Sequence, residues 1–264
     1  MTTILYRRGV NPDEDDLEVA AASRYFKVVH QRTEIPLGDL VIGRMSVLPF
    51  YKELEKDINN QGGRLINTFR QHQYIADMRE WCASLGELTP KLYERLQDCP
   101  AVGPFVVKGQ TNSRKFQWDT HMFAKDRRAV MEVYGRLKED SLFLDQEIYA
   151  RDYVPLQRLM TAFNGLPITK EFRFFVCNGK ILTGAFYWQS HLADLKDVPM
   201  EWEVPRHFLD ECVRRIGGNA NFYALDVAKT QKGEWTVIEI NDGQMSGLSC
   251  NDADKLYRAL KEHL

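Results

Sequence analysis

Hydrophobic positions along the chain switch between a spacing of about 3.6 residues and a spacing of about 2, which separates helical from extended segments. Residues 4–6 and 39–44 read as short apolar strands, the second built around Val41 and Ile42. Residues 48–59 set Phe50, Leu54 and Ile58 on one helical face, and Asn59-Asn60-Gln61-Gly62-Gly63 stops them. A strand at 63–67 and a helix at 71–85, closed by Gly86, complete the first third. Strand, helix, strand, helix predicts a parallel sheet with covering helices.

The remaining two thirds are richer in strands. Residues 104–108 form an apolar strand ending in Lys108, followed by a polar loop at 109–115. Residues 127–140 read as an amphipathic helix and 142–154 as one long extended strand that turns irregular at Pro155. The run Glu171-Phe172-Arg173-Phe174-Phe175-Val176-Cys177 meets Asn178-Gly179, a strong hairpin signal, and returns along 180–188. A helix at 204–216, strands at 222–228 and 234–240, and a last helix at 252–264 close the chain. A mixed α+β unit thus follows the α/β unit, and the chain as a whole is α+β.

Composition narrows the function classes. The chain has 264 residues, with 35 Lys+Arg against 37 Asp+Glu and a formal net charge of −2. That balance gives no whole-chain argument for nucleic acid or an anionic membrane as partner. No apolar run approaches a membrane span, and the N-terminus lacks the apolar core of a signal peptide, so a cytoplasmic protein is expected. The five cysteines form no CxxC pair and the six histidines no HxxxH arrangement, which argues against a nitrogen- or sulfur-bound metal.

Oxygen ligands are better represented. Asp226 falls towards the end of one C-terminal strand, while Glu239 and Asn241 straddle Ile240 on the other and project from the same face. Antiparallel pairing of the two strands would bring all three together as a hard oxygen site suited to Mg²⁺. Acids at strand ends are also commonly just solvated. Lys108, beside a loop carrying Thr111, Asn112 and Ser113, suits a nucleotide phosphate, although GxxxxGK[ST] is absent. Arg151 and Arg173 lie in apolar strands and need anionic partners, either a carboxylate such as Glu171 or a bound phosphate. The aromatic cluster at 186–188 and Trp202 are candidates for stacking a ring or for core packing.

In this order the segments resemble the ATP-grasp superfamily over roughly residues 40–250, with the Glu239-Ile240-Asn241 ending as its metal-binding signature. Lys108, Arg151 and Arg173 resemble the bacterial and phage clade named for two arginines and a lysine. The Glu-Phe-Arg-x-Phe-Val run is also similar to eukaryotic cell-division-cycle ATP-grasp proteins that help assemble a translation initiation factor. The resemblance implies an N-terminal α/β lobe over 1–90 and a two-lobed catalytic unit with antiparallel sheets over 91–264, hinged near 152–155. It implies ATP between the lobes. Asp152, Tyr153 and Val154 would face adenine, Lys108 and Ser113 the phosphates, and Arg151 and Arg173 the phosphates or the activated carboxylate. Asp226, Glu239 and Asn241 would hold Mg²⁺. Many relatives carry a phosphate-binding lysine after the strand that here ends in Asn67; Met78 or Arg79 stands near that place, and Arg79 is the candidate substitute.

The activity implied is ATP-dependent joining of a small-molecule or peptide carboxylate to an amine through an acyl phosphate. An ATP-binding assembly protein acting on a protein partner and a phosphotransferase are the alternatives. On this reading Asp226→Ala and Glu239→Ala abolish Mg²⁺-dependent turnover and leave the fold intact. The loop at 242–249 is either a substrate loop or a simple turn into the last helix.

Overall fold

The computed structural model describes residues 1–7, 9, 12–162 and 165–264. The N-terminal third folds as β1 (Thr2–Tyr6), α1 (Pro12–Ser23), β2 (Lys27–Val29), β3 (Leu40–Arg44), α2 (Tyr51–Asn60) and β4 (Arg64–Leu65). Its four strands pair in the order β2-β1-β3-β4, all parallel, as the strand–helix alternation predicts. Helix α2 buries Tyr51, Leu54 and Ile58, whereas Phe50 is exposed just before its first turn. Helix α1 was not legible in the hydrophobic pattern because its buried face consists of Glu18, Ala21 and Ala22. Pro12 at the first helical position and the acids Asp13, Glu14 and Asp15 in the first turn favour its start.

The helix expected over 71–85 is two helices, α3 (Phe69–Ala76) and α4 (Met78–Leu85). Asp77 breaks it: it takes an extended conformation and its side chain caps α4 by accepting from the Arg79 amide. Because the Glu80 amide donates to Asp77, the Ala76 carbonyl is left outside the helical ladder, and it accepts from Thr111 Oγ1 at 3.0 Å. The break therefore ties the polar loop that follows residue 109 to α3.

The middle sheet, in the order β5-β8-β6-β7, is antiparallel and comprises β5 (Leu92–Tyr93), β6 (Val102–Gly109), β7 (Phe123–Asp126) and β8 (Ile148–Asp152). The short helix α5 (Trp118–His121) precedes β7, and α6 (Arg127–Lys138) packs Val130, Val133 and Leu137 into a core with Phe105, Val107 and Phe143. The long strand expected over 142–154 exists only as β8. Ahead of it, Asp140 caps a helical turn at Ser141–Phe143, and Leu142 and Leu144 are exposed. A short ribbon that the pattern did not reveal, β9 (Arg158–Thr161) and β10 (Pro167–Thr169), follows, with one partly exposed strand.

The C-terminal sheet is antiparallel, ordered β12-β11-β13-β14, from β11 (Glu171–Cys177), β12 (Lys180–Phe186), β13 (Phe222–Lys229) and β14 (Trp235–Asp242). Helix α7 (Arg206–Ile216) covers one face with α4, while α8 (Ala253–His263) and the N-terminal unit cover the other. Every residue of β11 is buried, as a strand sandwiched on both faces requires. Asn178 and Gly179, with φ of 48° and 74°, make the hairpin turn. At Gly184 a Cβ would lie 2.2 Å from the Phe174 ring. Gly184→Ala is expected to cost about 1–3 kcal/mol through overpacking, read as an earlier urea midpoint with unchanged slope.

Candidate active site

A cleft runs between the middle and C-terminal sheets, in two connected parts that share Lys108, Ser113, Lys115 and Glu239. The first part is mainly apolar. Val106, Met122, Leu156, Ile238 and Trp188 line it, and residues 152–154 after β8 form one edge. There the Asp152 and Tyr153 amides donate to the Lys91 and Pro104 carbonyls, at 2.9 and 3.0 Å. The Val154 N–H donates to nothing among the described residues. The second part is polar and is lined by residues 110–113, Arg173, Tyr187, Asn241 and the loop after β14.

At the junction, Lys108 from β6 donates to Glu239 Oε1 at 2.6 Å, and Lys115 Nζ lies 4.0 Å from Oε2. Burial works to raise the Glu239 carboxyl, but the charges of Lys108 and Lys115 outweigh it and hold the group well below the usual carboxylate range. Lys115 also donates to the Tyr187 hydroxyl at 3.0 Å and stands over that ring. Register places Asp226 directly across from both Glu239 and Arg173. Both Asp226 oxygens accept from Arg173, at 2.8 and 2.7 Å, and Asp226 is 0% exposed. The remaining Arg173 nitrogen donates to the Gly247 carbonyl at 2.9 Å.

Two buried groups lack matching partners. Arg151 on β8 donates to the Thr89 hydroxyl and the Ile238 carbonyl, at 2.5 and 2.8 Å. It has no carboxylate within ion-pair distance among the described residues, and its Nε bonds to nothing. Glu171 opens β11 at the wall of the apolar part, and its Oε1 is likewise unpaired. Burial, above all, pushes the Glu171 carboxyl up to about 7. The cleft thus carries an apolar end with a free backbone donor, a cationic middle and a carboxylate–amide end.

A sequence model of the ATP-grasp domain, family 3 of the clade named for two arginines and a lysine, matches residues 95–260. The chain belongs to this clade of the ATP-grasp family. No curated protein matches it significantly in sequence. Among solved structures it is similar to a RimK-domain ATP-grasp protein from Sphaerobacter thermophilus DSM 20745, with TM-score 0.60 and 15% identity over 98% of this chain and 99% of that one. It is similar to the D-cycloserine synthetase DcsG, with TM-score 0.63 and 15% identity over 99% of each chain. It also resembles a D-alanine–D-alanine ligase from Bacillus anthracis, with TM-score 0.60 and 12% identity over 99% of this chain and 96% of that one. At these identities the likeness is one of fold.

Within this ATP-grasp fold, Lys108, Ser113, Arg151, Arg173, residues 152–154, Glu239 and Asn241 all line the cleft. Asp226 does not. It stands behind Arg173, and Asn241 Nδ2 reaches it at 3.4 Å. Glu171 and Arg173 do not pair with each other, since Asp226 takes the arginine. Arg79 is turned away: it bonds to Asp77 at 2.9 Å, lies near Glu94 and lines neither part of the cleft, while Met78 is in the core. Lys115, which in the sequence is only the end of a polar loop, is a further cation lining both parts of the cleft.

Of the aromatic cluster, Phe186 is core, Tyr187 lines the polar part beneath Arg173 and Lys115, and Trp188 lines the apolar part. Trp202 is 71% exposed. The loop at 242–249 lines the polar part through Asp242, Met245, Ser246 and Gly247. No helix among the described residues is long and apolar enough to cross a membrane.

Proposed function

We propose that this ATP-grasp protein is an ATP- and Mg²⁺-dependent ligase that phosphorylates a carboxylate and then joins it to an amine as an amide. The observation that carries the reading is that Lys108, Lys115, Arg173, Glu239 and Asn241 line one part of the cleft beside an apolar slot with a free hinge donor. Adenine fits that slot: its ring is apolar in face and polar at the edge, and the Val154 N–H supplies an edge donor. Glu171 Oε1 sits where a nucleoside hydroxyl or amino group would satisfy it.

The triphosphate then extends into the cationic middle, where the acids hold the cations in place beforehand. Such preorganisation removes the cost of collecting charge during phosphoryl transfer. Glu239 and Asn241 offer hard oxygens on one face of β14 and fit Mg²⁺, with Asp226 adding charge from behind Arg173. The metal, when bound, neutralises phosphate charge as it develops. Arg173 bridges the phosphate region and the 242–249 loop through Gly247, which suits it to grip the acyl phosphate.

A thermal-shift titration tests the nucleotide half of the proposal. ATP with Mg²⁺ at about 100 times its dissociation constant is expected to stabilise the protein by roughly 2.7 kcal/mol. In Lys108→Met the same concentration gives a smaller shift, and in Glu239→Ala the dependence on Mg²⁺ disappears. Absence of any shift with wild-type protein at millimolar ATP would overturn the reading.

A further inference from the structure

The polar part of the cleft holds a histidine that the proposed phosphoryl transfer does not use. His72 on α3 lines it alongside Leu48, Asn241 and Ser246. Its ring stacks on Tyr51 at 4.0 Å and 7°, which fixes the ring plane. Its Nδ1 lies 3.0 Å from Asp242 Oδ2. Asp242 is itself held, because its Oδ1 accepts from Asn67 Nδ2 and from the Gln244 amide, each at 3.0 Å. The Tyr51 hydroxyl donates to the Asn67 carbonyl at 2.8 Å and accepts from Gln244 Nε2 at 2.6 Å.

Every member of this network has its polar atoms occupied except one. A carboxylate only accepts, so Nδ1 carries a proton, and in the neutral ring the lone pair is then on Nε2. Nε2 bonds to nothing among the described residues. A histidine kept solely for packing has no need of so elaborate a support for its tautomer, whereas a base that must present Nε2 to a bound molecule does.

We propose that His72 is the general base of the amide-forming step, a role that rests on the ligase reading. Nε2 takes a proton from the ammonium form of the acceptor. The freed lone pair attacks the carbonyl carbon of the acyl phosphate and forms the C–N bond. The C–O bond to the phosphoryl group breaks, its electron pair leaves on inorganic phosphate, and the second amine proton follows onto that phosphate. Asp242 and Tyr51 are positioning residues: one fixes the tautomer and the other the plane.

Hydroxylamine separates this step from those before it, because at neutral pH it is already uncharged and needs no base to attack an acyl phosphate. Wild-type protein and His72→Gln would be given ATP, Mg²⁺ and a pool of standard amino acids and dipeptides, with and without hydroxylamine, and amides and hydroxamates quantified by mass spectrometry. The variant is expected to lose amide formation by at least about 100-fold while hydroxamate formation and the ATP-induced thermal shift stay at the wild-type level. Equal amide formation in both proteins overturns the role, as does loss of both products by a variant that still shows the ATP shift. A variant without the shift has lost its fold or its nucleotide; Asp242→Asn, which leaves the ring in place with the wrong tautomer, then decides by the same two products. Wild-type protein yielding no hydroxamate, despite an ATP shift, overturns the ligase reading and the role together.

Discussion

Replacing Arg173 with leucine is expected to destabilise the protein by about 3–5 kcal/mol, far beyond what a surface ion pair contributes. The reason is the partner left behind. Asp226 is fully buried in the middle of the C-terminal sheet, and both of its oxygens depend on Arg173; the long contact from Asn241 is its other hydrogen bond. A carboxylate stripped of its cation in that setting pays the full desolvation penalty. Asp226→Ala does the same to the guanidinium, so the intact fold expected for that variant from sequence gives way to a destabilised one. Arg173→Leu with Asp226→Leu removes both charges and is expected to recover most of the loss, leaving the Gly247 carbonyl and the Asn241 amide short of a partner. Urea unfolding of the two single variants and the double variant measures the coupling. A single variant within about 1 kcal/mol of wild type would mean that the pair is not the support it looks to be.

The same pair shows where sequence and structure part company. Strand alternation and the Asn178-Gly179 turn give the whole β11–β12 hairpin, and antiparallel pairing puts Asp226 across from Glu239 as anticipated. Alternation does not say which cation each acid will meet. That choice depends on β11 lying between β12 and β13, a neighbour relation between strands some fifty residues apart that no local pattern encodes. Lys115 was missed for a related reason: it follows a polar loop, and only the fold carries it back to Glu239 and Tyr187.

Local chemistry also competed with periodicity. Asp77 sits within an otherwise helical run and breaks it because its side chain caps the following turn. Asp140 similarly converts the expected start of a strand into a helical turn. Both acids stood in plain view, but a capping role is visible only when the backbone amide it serves is known to be free. In the first unit β1, β3, α2 and β4 were legible because apolar strands and an amphipathic helix alternate there, whereas α1, which buries Glu18, Ala21 and Ala22, and the three-residue β2 were not.

Glu171 supplies the second large effect, as a dependence of stability on pH. In the unfolded chain its carboxyl has the ordinary value of 4.5, and in the folded protein burial raises it to about 7. Between these values the native state holds a proton that the unfolded state has released, so this group makes stability fall as pH rises. Below pH 4.5 the group contributes no penalty; above pH 7 the penalty is complete. The gap corresponds to about 3 kcal/mol. Glu171→Gln keeps the size of the side chain and cannot ionise. Its stability relative to wild type is therefore expected to grow by up to about 3 kcal/mol across that interval and then level off. Other titrating groups cancel in the difference between the two proteins, so urea unfolding of both across this range isolates the carboxyl. A constant difference at all pH values would show that burial does not raise the Glu171 carboxyl. Bound nucleotide sharpens the test, because a donor placed on Oε1 favours the ionised carboxylate. With ATP present, the difference between wild type and Glu171→Gln is expected to grow less between pH 4.5 and 7, because the lowered folded value narrows the interval.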